Sequence, residues 1–186
     1  ADVPIVAMIS RLVSHKGLDL VRAAIEELLA GDVQFVLLGT GDTEYEAYFK
    51  DLANRYKGKA VSIIAFNGDL SRKIYSGADI FLMPSKSEPC GLSQMIASRY
   101  LTVPVVRETG GLYDSIKPYG AGGNGFTFAA YNAGDMLYVL REAIALYKDE
   151  PQWKKLMIKA GTTDFSWQRS AEEYKKLYSD TLALLK

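Results

Sequence analysis

Residues 5–29 read IVAMISRLVSHKGLDLVRAAIEELL, which passes from an apolar run through a basic loop into an amphipathic segment. The run at 5–9 is apolar without alternation, as is typical of a strand that is buried on both faces. From Leu18 to Leu28 the apolar residues recur at helical spacing, which predicts a helix with one buried stripe. A strand followed by a loop and a helix is the repeating unit of parallel α/β sheets.

The chain repeats this unit up to residue 106. The second amphipathic segment has an apolar stripe from Tyr45 to Tyr56, and Thr43 followed by Glu46 predicts a capping box at its start. We therefore predict an α/β fold, a Rossmann-like parallel sheet flanked by helices. The predicted strands are 5–9, 33–38, 60–66, 79–83 and 103–106, with a sixth, short strand at 125–129.

Beyond residue 106 the chain first crowds glycines into a loop-rich stretch and then becomes mostly helical from Asn132. We interpret 1–186 as a single domain in which 150–186 form a C-terminal helical extension. The last helix carries an apolar stripe that either packs on the domain's own sheet or stays open to another surface. The stripe comprises Tyr174, Leu177, Tyr178, Thr181, Leu182 and Leu185.

Composition and charge argue against several classes of protein. The 22 basic and 22 acidic residues balance, whereas proteins that bind nucleic acids usually carry a basic surplus. No apolar run approaches the roughly 18 residues that a membrane helix needs. Cys90 is the single cysteine, so an internal disulfide is impossible and a reducing compartment, the cytoplasm or a plastid, is expected.

Three loops that follow predicted strands carry the candidate site residues, because ligands of open parallel sheets bind beyond the carboxyl ends of the strands. The loop after the first strand holds Arg11 and Lys16 and ends at Gly17, where a helix begins. Two cations at this spacing suit a diphosphate, with Arg11 as a two-pronged donor and Lys16 as a point charge. A solvated basic loop is the alternative.

The loop after the fourth strand contains Glu88 and Gly91, and the helix that follows begins with N–H groups that can receive phosphate or sugar oxygens. Glu88 can accept hydrogen bonds from sugar hydroxyls, or it can merely favour the positive end of that helix. We expect Leu92, Met95 and Ile96 of this helix to face inward.

The third loop and the search for metal ligands give weaker signals. Gly110 and Gly111, after the fifth strand, fit either a backbone nest for an anion or a tight turn. His15 is the single histidine and no Asp-x-Asp pair is present, so neither a metal site nor a cofactor is predicted.

Together these loops resemble the donor domain of the glycogen and starch synthases. The resemblance runs from about residue 3 to residue 180, and Glu-Pro-Cys-Gly-Leu at 88–92 is its most specific segment. It implies a GT-B arrangement, in which two Rossmann-like domains face each other and the C-terminal one holds the nucleotide sugar. The other matching segments are Ser-Arg-Leu at 10–12, Lys-Gly-Leu-Asp-Leu at 16–20, Gly-Ala-Asp at 77–79, Pro-Ser at 84–85, Ser-Gln at 93–94, Thr-Gly-Gly-Leu at 109–112 and Asp-Phe-Ser-Trp at 164–167.

The resemblance implies three catalytic residues, with Arg11 and Lys16 on the diphosphate and Glu88 on the transferred glucose. It also implies donor contacts from an aromatic ring, a hydroxyl and backbone amides. These are Phe66 against the base, the amides of Cys90, Gly91 and Leu92, Ser93 near the ribose or phosphate, and Thr109 with Gly110 near the distal phosphate.

The implied activity is transfer of glucose from ADP-glucose, which we favour, or UDP-glucose to the non-reducing end of an α-1,4-glucan with retention. The glucan would be held by an N-terminal acceptor domain that this chain lacks, so we expect the fragment to bind donor without elongating glucan. Two positions depart from relatives. His15 replaces a common Gln, and Ile96 stands where the wider group of retaining transferases often has a second Glu, which the synthases generally lack too.

Two other classes stay open at this point. A nucleotide-sugar-binding protein, or an epimerase relative without transferase activity, would share the architecture. A dinucleotide-binding module is the second, because Gly39-Thr40-Gly41 follows a predicted strand. However, Glu44 occupies the place of the third glycine of that fingerprint, and the motif follows the second strand rather than the first.

Overall fold

The computed structural model of the chain describes residues 3–184. Within these residues six strands form one sheet in the order β3-β2-β1-β4-β5-β6, and all neighbours pair in parallel. The prediction of a Rossmann-like parallel sheet is confirmed. The strands are β1 (Ile5–Ile9), β2 (Gln34–Gly39), β3 (Ala60–Ile64), β4 (Ile80–Met83), β5 (Val103–Arg107) and β6 (Phe126–Phe128).

Helices cover both faces of the sheet. Successive strand residues point to opposite sides, so apolar strands need a helix layer on each side. In β1, Val6 and Met8 enter one core and Ala7 enters the other. The helices of the described chain are α1 (Leu18–Leu29), α2 (Thr43–Arg55), α3 (Gly68–Gly77), α4 (Ser93–Arg99), α5 (Gly110–Ser115), α6 (Ala133–Tyr147), α7 (Glu150–Thr162) and α8 (Trp167–Leu184). Residues of α1, α2, α6 and α7 line the first core, and residues of α3, α4 and α5 line the second. None of these helices is both long enough and apolar enough to cross a membrane.

The order of the strands reverses between β1 and β4. From β1 the chain first adds β2 and β3 on one side, and then returns to add β4, β5 and β6 on the other. At such a switch point the loops after the two central strands run in opposite directions and leave a crevice at the carboxyl edge of the sheet. The topology therefore places the loop after β1 beside the loop after β4.

Glycines allow the loops at this edge to approach closely. Gly17 has a φ of 77°, and a Cβ there would lie 2.1 Å from the carbonyl oxygen of Pro84. Cβ atoms at Gly39 and Gly41 would lie 1.9 and 2.3 Å from backbone oxygens of the loop after β1. Packing of the end of β2 against that loop therefore accounts for the Gly39-Thr40-Gly41 motif, without a bound dinucleotide.

The capping box predicted at Thr43 and Glu46 is wrong. Helix α2 begins at Thr43 itself, so Asp42 is its N-cap, and Glu46 Oε1 instead accepts from the N–H of Gly41 at 3.0 Å. The N–H of Asp42 donates to the carbonyl oxygen of Leu12 at 2.8 Å. This long-range bond fixes the backbone before the helix and decides where the helix starts.

The inward face predicted for α4 is also wrong. Leu92 and Ile96 are 64% and 40% exposed, Met95 is half-buried, and the buried side chains of the helix include Gln94 and Ala97. A small residue and an amide that finds hydrogen-bond partners let this short helix lie close to its neighbours. The apolar pattern of the sequence therefore marks the outer face of α4.

The last two helices behave differently from each other. Trp153 and Leu156 anchor α7 in the first core, whereas α8 buries no residue. The stripe from Tyr174 to Leu182 is thus open over its described part, and Leu185, which we assigned to it, lies outside the described residues.

The third strand ends at Ile64, two residues earlier than predicted.

Substituting Gly17 by Ala tests the close approach of the two central loops. We expect Gly17→Ala to lower the free energy of unfolding by about 2 kcal/mol or more, because the added Cβ meets a backbone oxygen at a positive φ. Gly77→Ala is the matched control. Gly77 lies in α3 with open space around it, so its substitution should be neutral or stabilise by up to about 1 kcal/mol. Equal losses in urea denaturation would contradict this account.

Candidate functional site

Lys16 and Glu88 form an ion pair at the carboxyl edge of the sheet. Lys16 Nζ lies 2.5 Å from Glu88 Oε2, and the two side chains are only 16% and 10% exposed. The hydroxyl of Ser85 donates to the same carboxylate oxygen at 3.3 Å. The N–H of Lys86 donates to the carbonyl oxygen of His15 at 2.9 Å. Two loops that are 72 residues apart in sequence are thus fixed to each other.

A cavity of about 180 Å³ opens beside this pair, at the ends of β1 and β4. Arg11 and Lys16 bring two positive charges to its wall, and Ser85 and Ser93 add hydroxyl groups. The guanidinium of Arg11 has no ion pair or hydrogen bond with any residue between 3 and 184. An exposed, unpaired guanidinium beside a second cation favours an anionic ligand, and the planar fork suits a phosphate.

Three backbone N–H groups of the loop between β4 and α4, which carries Glu88, are unused. Those of Cys90, Gly91 and Leu92 donate to no acceptor in the part of the chain that the structure describes. Gly91 has a φ of 72°, so the backbone turns there in a conformation that a residue with a side chain rarely adopts. Successive amides in such a turn can bind the oxygens of an anion or of a sugar.

The turn formed by Thr109, Gly110 and Gly111 packs against the same loop. A Cβ at Gly110 would lie 2.2 Å from the carbonyl oxygen of Glu88, and one at Gly111 would lie 2.0 Å from that of Cys90. The N–H of Gly111 donates to the carbonyl oxygen of Glu88 at 3.1 Å. Loop-to-loop packing, which was neither the anion nest nor the tight turn considered for the paired glycines, therefore accounts for them, and it places Thr109 beside the loop that carries Glu88.

A cluster around Tyr131 supports the two central loops, and no motif in the sequence points to it. Arg107 Nη1 donates to the carbonyl oxygens of Ser85 and Lys86 at 3.3 and 3.0 Å, and the guanidinium carbon lies 5.3 Å from the centre of the Tyr131 ring. The Tyr131 hydroxyl donates to Asp19 Oδ1 at 2.5 Å. Burial raises the pKa of Tyr131, and the hydrogen bond to Asp19 raises it further, so Tyr131 stays protonated at neutral pH.

The structure separates one predicted contact from the rest. The side chain of Phe66 is 98% exposed just beyond β3, and it does not line the cavity between β1 and β4. The other nine predicted site residues lie in the loops that follow β1, β4 and β5 or, in the case of Ser93 and Gly110, at the starts of the next helices. Arg11, Lys16 and Ser93 share the cavity wall.

A larger, open groove of about 780 Å³ touches the other side of Cys90, between α5, the glycine-rich loop after it and the α7–α8 connection. Its charges balance, whereas those around the smaller cavity do not, and we therefore place the candidate site in the smaller cavity. The charged residues of the groove are Lys117, Lys159 and Arg169 against Asp114, Asp164 and Glu173.

Residues 1–179 match the family model described as glycosyl transferases group 1, and the chain belongs to that family. It is similar to curated proteins named glycogen synthase. It is 52% identical to the one from Kosmotoga olearia and 49% identical to one from Bacillus cereus strain Q1, in both cases over 97% of this chain and 39% of the relative. The chain thus spans about two fifths of the length of these relatives.

A solved structure agrees with this assignment. The catalytic domain of starch synthase IV from Arabidopsis thaliana, bound to ADP and acarbose, superposes with a TM-score of 0.87 at 37% identity. The match covers 98% of this chain and 39% of that structure. The predicted resemblance to glycogen and starch synthases is therefore confirmed, together with the GT-B architecture of the neighbours.

A double-mutant cycle tests how strongly Lys16 and Glu88 depend on each other. Lys16→Met leaves a mostly buried carboxylate without its cation, and we expect a loss of about 1–3 kcal/mol in the free energy of unfolding. The double variant with Glu88→Gln should lose clearly less than the sum of the single losses. The exposed pair Lys154–Glu150 in α7 is the control and should show much weaker coupling. Additive losses at Lys16 and Glu88 in urea denaturation would contradict the ion pair.

Proposed function

We propose that this chain is the donor-binding domain of a retaining glucosyltransferase of the glycogen and starch synthase type. The observation that carries the proposal is the pair of cations, Arg11 and Lys16, on one cavity wall at the switch point of the sheet. Lys16 is also joined to the loop of Glu88, which carries the unused amides of Cys90, Gly91 and Leu92. A diphosphate supplies negative oxygens for the two cations and for the amides, and a hexose supplies hydroxyls that can donate to Glu88. The substrate we assign is ADP-glucose or UDP-glucose.

The cations act on the leaving group. As the bond between the anomeric carbon and the phosphate oxygen breaks, its electron pair stays on that oxygen, and Arg11 and Lys16 stabilise the growing charge. An acceptor hydroxyl forms the new bond at the same carbon, and its proton leaves with the released nucleoside diphosphate. The ammonium of Lys16 has three N–H donors, so it can keep Glu88 and bind a phosphate oxygen at the same time.

The remaining contacts follow the order of the loops along the sheet edge. Thr109 and Gly110 would lie at the distal phosphate, since their turn contacts the backbone of Glu88. Ser93 would face the ribose or the phosphates from the cavity wall. The exposed ring of Phe66 would stack on the base, and such stacking accepts any base. ADP in the similar starch synthase structure favours ADP-glucose as the donor.

The acceptor requires a surface outside this domain. We propose that an α-1,4-glucan is held at its non-reducing end by a second domain, and that the open stripe of α8 packs against that domain. The extent of the curated relatives, of which this chain spans about 39%, supports this division of labour. A single cysteine suits a reducing compartment, and we place the protein in the cytoplasm, or in a plastid if the source is a plant.

Calorimetric titration with ADP tests the donor site directly. We expect ADP to bind this chain and Lys16→Ala to weaken binding by roughly 10- to 100-fold, because one charged hydrogen bond is lost. Lys57→Ala is the control, since Lys57 lies just before β3, at the opposite edge of the sheet. Equal affinities of the Lys16→Ala and unsubstituted chains would contradict the assignment. The same titration with EDTA present should give the same affinity if no metal takes part.

Incubation of this chain with ADP-glucose and glycogen tests the need for an acceptor domain. We expect no efficient extension of the glucan, because in this proposal the acceptor is bound by the second domain. The measurement is incorporation of labelled glucose, with a full-length glycogen synthase as the positive control. Efficient extension by the 186-residue chain would refute the division of labour while leaving the donor site in place.

A further inference from the structure

Gln94 is a polar residue that is fully buried at the start of α4. Its Nε2 donates to the carbonyl oxygens of Cys90 and Gly91 at 3.2 and 2.9 Å, and to the hydroxyl oxygen of Ser115 at 3.0 Å. The two hydrogens of this NH₂ group are shared among the three acceptors, so one amide contacts the carbonyl oxygens on both sides of the Gly91 α-carbon and connects them to α5.

The contact continues beyond Ser115. Its hydroxyl donates to the carbonyl oxygen of Gly111 at 2.6 Å, and the N–H of Gly111 donates to the carbonyl oxygen of Glu88 at 3.1 Å. The path therefore starts at Gln94, passes through α5 and returns to the same loop one residue before Pro89. Every residue of this closed path is either in the Glu88–Gly91 segment or packed against it.

The orientation of the amide follows from its partners. A reversed amide would set its oxygen against the carbonyl oxygens of Cys90 and Gly91, and the one hydroxyl hydrogen of Ser115 is already donated to Gly111. The oxygen of Gln94 is buried and has no hydrogen-bond partner in the described chain, so the side chain is held through its NH₂ group alone. A Cβ at Gly91 would lie 2.6 Å from that oxygen, which ties the glycine to the glutamine.

We propose that Gln94 is a positioning residue, which holds the backbone of Cys90, Gly91 and Leu92 so that their unused N–H groups face the donor. This inference rests on the proposed function and adds the residue that prepares the loop before donor binds. Without the NH₂ group the two carbonyl oxygens lose their donor and the turn at Gly91 relaxes. Donor binding must then reorder the turn, and the affinity falls.

Replacing Gln94 by Glu distinguishes the loss of the NH₂ donor from a change in packing. The introduced carboxyl has nearly the same shape, but when ionised it offers only acceptors to two carbonyl oxygens. When protonated it regains one donor. A carboxyl in this buried place should titrate well above its ordinary pKa of about 4.3, because burial and the carbonyl oxygens disfavour its charge. Protonation favours the native turn, so function returns as the pH falls.

The measurement is ADP affinity by calorimetry at several pH values between about 8 and about 5.5, as a ratio to the unsubstituted chain at the same pH. Gln94→Glu should bind roughly 10-fold or more weakly at the upper end and recover most of this loss at the lower end. Gln94→Met, which has no donor, should be weak throughout. The control is Gln34→Glu, because Gln34 also donates to a backbone carbonyl, that of Gly58 at 3.0 Å, but at the opposite edge of the sheet.

A second measurement separates this inference from the proposed function. The solvent exchange of the Gly111 N–H can be followed by NMR without ligand, as a ratio to the unsubstituted chain at the same pH. In Gln94→Glu this exchange should be faster than in the unsubstituted chain at about pH 8, and the difference should shrink at about pH 5.5. If the unsubstituted chain bound no ADP, the proposed function would fall, and the Gly111 exchange would still support or reject the role of Gln94 in holding the loop. A pH-independent affinity ratio together with unchanged Gly111 exchange would overturn the inference.

Discussion

The ion pair between Lys16 and Glu88 is the interaction on which the candidate site depends, because it joins the loops that leave the two central strands. Its side chains are mostly shielded from solvent, so salt screens it less than the exposed pairs of α1, α2 and α7. The site is therefore preassembled by the protein's own charges. An incoming diphosphate adds to an ionic contact that already exists, and the loops need not find each other in the bound state.

The strand order explains why a site of this kind arises at one place. Each loop by itself is only weak evidence for a binding site. The first loop has a pair of cations, the second a glycine turn and the third two adjacent glycines. The reversal between β1 and β4 brings the first two to one crevice, and β5 adds the third beside them. Close backbone contacts then fix the loops in place, which is why glycines stand at several of the contact points, such as Gly17 and Gly110.

The sheet and most helices could be predicted from the sequence, because strands buried on both faces leave unbroken apolar runs. The loops of the candidate site could also be predicted, since parallel strands bring their carboxyl ends together. Contacts between distant residues could not. Nothing in the sequence links Tyr131 to Asp19, which lie 112 residues apart. The pattern of α4 misleads for a related reason, because its buried face includes Gln94, and an amide is buried at low cost only when tertiary partners exist.

Helix α8 has a consequence for how the chain melts. It is an 18-residue rod, about 27 Å long, that contributes no side chain to either core. Its helical state relies on propensity and on exposed pairs between successive turns, such as Arg169 with Glu173 and Lys176 with Asp180, which add only a few tenths of a kcal/mol each. The rod can therefore lose its helix while the sheet stays folded. Heating this chain should give two separate transitions by circular dichroism, a broad early loss of helix and a later cooperative one.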